Sequence, residues 1–224
     1  MTFSLAARCA RTGQFAVAVT SSSPAVAARC AFARAGVGAA TTQNVTDPRL
    51  GPLLLERLAQ GMNAAQALEA VLAQATYPDY RQMTIIDAQG GTAFHSGAKT
   101  LGINAAARGE NAVSAGNLLA SPGIPAAVIA AFAANPEDEL GARMIAAMQA
   151  GLEAGGEAGP LKSAGLLVTD KESWALTDLR VDWHEAPLTE LAALWGLWQP
   201  QMRDYVTRAL NPEAAPSYGV PGDE

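Results

Sequence analysis

Charge is scarce in this chain of 224 residues: Asp, Glu, Lys and Arg together make up only 16% of it. Acidic residues outnumber basic ones by 21 to 15, the formal net charge is −6, and no Lys/Arg cluster interrupts that balance. A nucleic acid or an anionic membrane would find no basic patch for its phosphates, so both are excluded as partners. Cysteine is scarcer still. Cys9 and Cys30 stand alone with no CxxC spacing, as expected of two reduced, structural thiols. His95 and His184 are the only imidazoles. Neither has ligand-type neighbours at helical or hairpin spacing, so no metal is expected. The longest apolar run, 124–134, is too short to cross a bilayer. The opening residues lack the basic region, apolar stretch and cleavage site of a secretory signal. A cytoplasmic protein is the expectation. Gly36-Val37-Gly38 lacks the third glycine and the helix of a dinucleotide site, and no cofactor is expected. Ser21, Ser22 and Ser23 lack a Gly-x-Ser-x-Gly elbow, which disfavours a conventional serine hydrolase.

What the chain has is small apolar residues. Half of it is hydrophobic, 21 residues are glycine, and the mean hydropathy is +0.10. A well-filled core with close backbone packing follows. Period-two patterns predict strands at 2–8 and 15–20 around a turn at 11–14, then at 36–43, 81–87, 92–95, 111–117, 163–169 and 174–183. Helical spacing follows Asp47-Pro48 and Asn63, both helix starts. It recurs at 124–134, 137–151, 189–198 and 200–210. Strands, two helices, strands, two helices, strands, helices is not the alternation of a parallel doubly wound sheet. It suits an α+β fold, a four-layer αββα sandwich of two mainly antiparallel sheets. One domain over 1–224 is expected, with 189–224 a C-terminal helical extension and tail.

The first predicted strand begins on Thr2. With Met1 removed, Thr2 would carry both a hydroxyl nucleophile and a free α-amine to serve as its base. An α-amine titrates near about 8, so an appreciable fraction is unprotonated at neutral pH.

The opening "MTFSLAARCARTGQFAVAVTSSSPAVAA" and "ARAGVGAATTQNVTDPRLGPLLLERLAQGMNAAQALEAVL" resemble the domain-of-unknown-function family ten-twenty-eight. So do "TIIDAQGGTAFHSG", "SAGNLLAS", "KSAGLLV", "TDLRVDWHEAPLTEL" and the closing "YGVPGDE". That bacterial and archaeal family is placed in the N-terminal-nucleophile (Ntn) hydrolase superfamily. The resemblance implies the αββα sandwich and a Thr, Ser or Cys nucleophile at the mature N-terminus. The opening is also similar to the catalytic subunit of threonine asparaginases, where a second Thr closes the return strand. Thr20 holds that place here, so its hydroxyl is expected to bond the amine or the nucleophile. The "ATTQN" stretch lacks the glycine-spaced threonines of those enzymes.

The reaction expected is amide hydrolysis through an acyl-threonine, on a small-molecule substrate. Thr41-Thr42 and Gly116-Asn117 are the candidate oxyanion donors. Ser21, Arg34, Gly116, Glu157 and Lys162 are the candidate substrate-binding residues, with Arg29 or Arg34 able to depress the amine's pKa or hold a carboxylate. The alternative is a catalytically silent member of the fold that binds or scaffolds. Asp178, Arg180 and Asp182 share one strand face and read as an exposed salt-bridged row. Trp195, Trp198, Met202 and Tyr205 form an aromatic-rich helical pair, and a homodimer or larger homo-oligomer is favoured. The tail from Tyr218 to Glu224 is expected to lie across a neighbour.

Overall fold

A computed structural model describes residues 1–222. The chain opens on β1 (Thr2–Arg8) and β2 (Phe15–Ser21), followed by a short α1 (Ala27–Cys30), β3 (Ala31–Arg34) and β4 (Gly38–Asn44). Helices α2 (Leu50–Ala59) and α3 (Ala64–Leu72) come next. Four strands follow: β5 (Arg81–Asp87), β6 (Thr92–Ser96), β7 (Ala105–Gly109) and β8 (Ala112–Asn117). Then come α4 (Ile124–Ala134), α5 (Leu140–Glu153), β9 (Ser163–Thr169) and β10 (Ala175–Val181). Helices α6 (Pro187–Trp198) and α7 (Met202–Leu210) close the sequence of elements.

The strands form two antiparallel sheets. One has six strands in the order β10-β9-β2-β1-β8-β7, the other four in the order β3-β4-β5-β6. Alternation along each strand gives each sheet two apolar faces. On the larger sheet Phe3, Leu5, Ala16 and Ala18 pack against Val128, Phe132, Met144 and Met148 of α4 and α5. On the smaller, Ala40, Met83 and Ile85 pack against Leu54, Leu58, Leu68 and Val71 of α2 and α3. Between the sheets Ala6, Phe15, Val17 and Val113 meet Ala39 and Ile86. The mixed α/β fold is as the sequence pattern suggested.

Local chemistry explains the well-read elements. Gly13 adopts φ +76° in the first hairpin, a left-handed conformation that glycine reaches without a Cβ clash. The Cys9 N–H donates to Gln14 O across that turn at 2.9 Å. Asn63 caps α3 through a reciprocal pair of bonds with Gln66, a capping box. Asp47 does not start its helix directly. Its carboxylate accepts from the Arg49 backbone N–H at 3.1 Å and from the Arg49 guanidinium, and α2 begins at Leu50. The helix expected from 137 begins at Leu140, with the Glu137 carbonyl held instead by Arg11 at 2.7 Å. Strand β7 was not anticipated. Its Ala-Ala-Ala-Arg-Gly has no β-branched or aromatic residue, and pairing with β8 places it.

Cys9 and Cys30 are free and buried. Asp178 and Arg180 pair on the exposed face of β10. Trp198 donates to Thr177 Oγ1 at 3.0 Å and its ring lies 5.1 Å from that of Tyr205. Tyr218 lies 6.1 Å from Tyr205 and beneath the Arg208 guanidinium at 3.9 Å, so it folds onto α7 of its own chain, where apolar ring surface and a cation are available. Asp223 and Glu224, the end of that tail, lie outside the described residues. Among the described residues no helix is long and apolar enough to cross a membrane.

Candidate active site

Thr2 heads β1, between β2 and β8, with Ser21 opposite it on one side and Asn117 on the other. The side chain points between the sheets, because Phe3 and Leu5, its neighbours in the alternation, face the α4–α5 side. It is 6% exposed. Thr2 Oγ1 lies 2.5 Å from the Met1 carbonyl oxygen and 3.2 Å from Ser21 Oγ. Ser21 Oγ donates to the same carbonyl at 2.5 Å. Behind it the line continues. Ser23 Oγ lies 2.8 Å from Ser21 Oγ, and Arg29 Nη2 donates to Ser23 Oγ at 2.7 Å. A guanidinium has no acceptor, so the donors all run one way: Arg29 to Ser23, Ser23 to Ser21, Ser21 to the carbonyl oxygen. Hydroxyls aligned in this manner polarise one another and strengthen the last bond.

A layer of amides lies deeper on the same face. Asn117 Nδ2 donates to Gln82 Oε1 at 3.0 Å, as does Gln43 Nε2 at 2.8 Å. Gln82 Nε2 donates to Gly116 O at 3.0 Å and Ser96 Oγ at 2.9 Å, and Ser4 Oγ donates to Gln43 Oε1 at 2.7 Å. The network ties both sheets together beneath Thr2. Gln82→Leu leaves the Asn117 and Gln43 donors and the Gly116 acceptor short of a partner. The expected cost is about 2–3 kcal/mol in urea unfolding, whereas a loss under ~0.5 kcal/mol would show the network to be dispensable.

Above Thr2 lies the glycine-rich loop of 155–160. An added Cβ on Gly159 would lie 2.8 Å from Met1 Cε and 3.3 Å from Met1 Sδ, so the Met1 side chain rests on that loop. Glu157 in the same loop is 6% exposed. Its Oε2 accepts from the Ser22 N–H at 3.1 Å, while Oε1 is buried with no hydrogen-bond partner among the described residues. Burial pushes the Glu157 carboxyl up to about 8; the positive N-terminus and the Ser22 N–H pull the other way and are outweighed.

The remaining expected site residues are placed differently. Thr20 pairs with Phe3, not Thr2, and its hydroxyl donates to Ser163 O at 2.8 Å. Alternation turns it to the opposite face, and Ser21 takes the place expected for it. Thr41 shares a 2.7 Å hydroxyl contact with Thr84 in the smaller sheet. Thr42 Oγ1 donates to Asp47 O at 3.4 Å. Neither offers Thr2 a donor. Gly116 contributes its carbonyl to Gln82, and an added Cβ there would lie 2.6 Å from Leu119 and 3.0 Å from Phe3. Its lack of a side chain serves packing. Arg34 pairs with Gly38, at the far end of β4 from Gln43. It lines a separate cavity of about 640 Å³ with Phe32, Leu167, Lys171 and Trp174. The Lys162 ammonium pairs with Glu185 and lies 5.6 Å over the Trp183 ring. Only its backbone N–H touches the Thr2 surroundings, donating to Ser21 O at 2.8 Å. Of the two arginines considered, Arg29 reaches the site. Gln43, Gln82 and Ser4 are not singled out by the sequence, and Ser23 figures there only as a disfavoured serine-hydrolase nucleophile; uncharged amides inside strands are the available signal for the first two. No cluster of His, Cys, Asp or Glu suited to a metal occurs among the described residues.

Three comparisons bear on this geometry. The model of a family of unknown function, DUF1028, matches residues 2–191. The crystal structure of a DUF1028 protein from Silicibacter pomeroyi aligns with a TM-score of 0.82 and 25% identity, covering 88% of this chain and 89% of that one. Anbu (ancestral beta-subunit) from Yersinia bercovieri aligns at a TM-score of 0.41 and 11% identity, over 90% of this chain and 96% of that one. An Anbu (Gly-1) mutant from Hyphomicrobium sp. strain MC1 gives 0.40 and 11%, with the same coverage. At those two scores the likeness carries no argument. No curated protein matches the chain.

Proposed function

For this chain, which belongs to the family of unknown function DUF1028, we propose an amidohydrolase of the Ntn type, with Thr2 as nucleophile once the Met1–Thr2 bond is cleaved. The observation that carries the reading is the Met1 carbonyl: it sits against the Thr2 hydroxyl while Ser21 donates to its oxygen. A substrate carbonyl in that place meets a nucleophile and a preformed oxyanion donor together. Thr2 Oγ1 attacks, its proton passes to the Thr2 α-amine, and the tetrahedral oxyanion is held by Ser21 with Ser23 and Arg29 behind it. The amine then returns the proton to the leaving nitrogen as the C–N bond breaks, and water hydrolyses the ester. A four-layer αββα arrangement is part of the proposal. It is supported by helices packed on the outer face of each sheet and by apolar contact between the inner faces. So is a single domain with a C-terminal helical extension, and a homo-oligomer, supported by the exposed Leu197 and Leu210.

The second reading, a silent scaffold, is favoured by the same residue that covers the site: with Met1 in place Thr2 has no free amine and is 6% exposed. A panel of small amides and lactams presented to the chain before and after cleavage of the Met1–Thr2 bond separates the two. Turnover only by the cleaved chain supports the hydrolase. Equal silence of both forms supports the scaffold.

A further inference from the structure

We infer that the space over Thr2, which Met1 fills in this structure, is built for an α-aminoacyl group, with Glu157 receiving a free α-ammonium, Ser21 the carbonyl oxygen, and the loop at Gly159 a flexible apolar side chain. The inference deepens the hydrolase reading and rests on it for the chemical step. Met1 carries the argument, because Met1 is itself an aminoacyl group attached to Thr2. Its carbonyl oxygen lies 2.5 Å from Thr2 Oγ1 and takes the Ser21 hydroxyl. Its thioether methyl lies 2.8 Å from where a Cβ on Gly159 would stand.

Glu157 supplies the independent observation. Oε2 is held by the Ser22 N–H, yet Oε1 is buried and takes no hydrogen bond from any of the described residues, the Met1 ammonium included. In the neutral carboxyl that oxygen carries a proton with no acceptor, and an ammonium that displaces the proton and donates to Oε1 leaves the carboxylate paired. The nitrogen and Oγ1 of one threonine are joined through two carbons, so an acyl group on either reaches the same space. A substrate acyl group on Oγ1 would therefore lie where Met1 lies now, free of the tether through the Thr2 nitrogen. The substrate class is an amide of an unblocked α-amino acid. Oγ1 attacks its carbonyl carbon and the amide C–N bond breaks. The Oγ1 proton travels through the Thr2 amine to the departing amine, and water releases the free amino acid from the ester.

The test uses the chain beginning at Thr2, its first residue verified by intact mass, with methioninamide, N-acetylmethioninamide, alaninamide and butyramide. Turnover of methioninamide is expected to exceed that of its N-acetyl form by about tenfold or more. Calorimetric titration should show the same order of binding, and Glu157→Gln should narrow the gap. Gly159→Ala, which brings a Cβ to within 2.8 Å of the thioether carbon, should lower methioninamide relative to alaninamide by about tenfold. Turnover of butyramide or the blocked amide at least as fast would overturn the aminoacyl pocket and keep the hydrolase. Preferred binding of the unblocked amide without turnover of any would keep the pocket and overturn the hydrolase. A Glu157→Gln loss equal for blocked and unblocked amides would assign Glu157 to the Thr2 amine and overturn its role here.

Discussion

Thr2→Ala, in the chain cleaved after Met1, should lower amide turnover by about 10³-fold or more. Loss of a nucleophile removes the covalent route, and what remains is the Ser21 donor acting on a carbonyl with no attacking group beside it. Thr2→Ser keeps the hydroxyl and the amine, so a measurable fraction of activity should survive; the lost methyl loosens the side chain's hold on one rotamer. The fold provides the control. Thr2 lies at the end of β1, and among the described residues its Oγ1 hydrogen-bonds only to Met1 O and Ser21 Oγ, so far-ultraviolet dichroism should be unchanged in both variants. A Thr2→Ala chain that hydrolyses amides at the parent rate would remove Thr2 from the chemistry.

Stability should fall as pH rises through the neutral range, and Glu157 should be a main cause. An unfolded glutamate titrates near 4.5, while burial holds this one at about 8 in the fold. Between those values the native state keeps a proton that the unfolded chain releases, so rising pH favours unfolding. The contribution is whole below the unfolded value and is lost as pH climbs toward the folded one, with a ceiling of about 5 kcal/mol. Glu157→Gln keeps the shape and the acceptor for Ser22 but does not titrate. Urea unfolding at intervals from pH 5 to 8 should show the variant gaining on the parent by a few kcal/mol at the alkaline end. Parallel curves would mean that Glu157 does not carry the buried proton.

Much of this architecture could be read from the sequence because its signals are local. Gly13, the alternation on either side of it and the Asn63 cap each act within a few residues, and β1, β9 and α4 fall at the expected bounds. Strands β3 and β7 could not be read in that way. Alanine-rich stretches have little intrinsic β preference, and their neighbours decide them. The site divides along the same line. Thr2 stood out as the second residue of a strand, and Ser21, Asn117 and Glu157 were among the candidates. Thr20 was preferred to Ser21 because pattern alone does not fix which residues of a hairpin face one another. Gln43 and Gln82 come from strands well separated in sequence, and only the closing of the two sheets brings them beneath Thr2. The buried, unpartnered oxygen of Glu157 depends on a loop whose path no short-range rule predicts.

The loop joining β1 to β2 is, in effect, a counting device. Thr2 meets Ser21 because the two strands are in step from Arg8 opposite Phe15 back to the chain's start. Lengthening that loop by a single residue, if the strands re-paired by one position to keep the turn, would swing the Ser21 hydroxyl to the other side of the sheet. Thr20 would then stand beside Thr2, and the Arg29–Ser23–Ser21 line would end in the wrong layer. The distance from Cys9 to Gln14 along the chain therefore selects the neighbour of the first hydroxyl, although no atom of that loop comes near it.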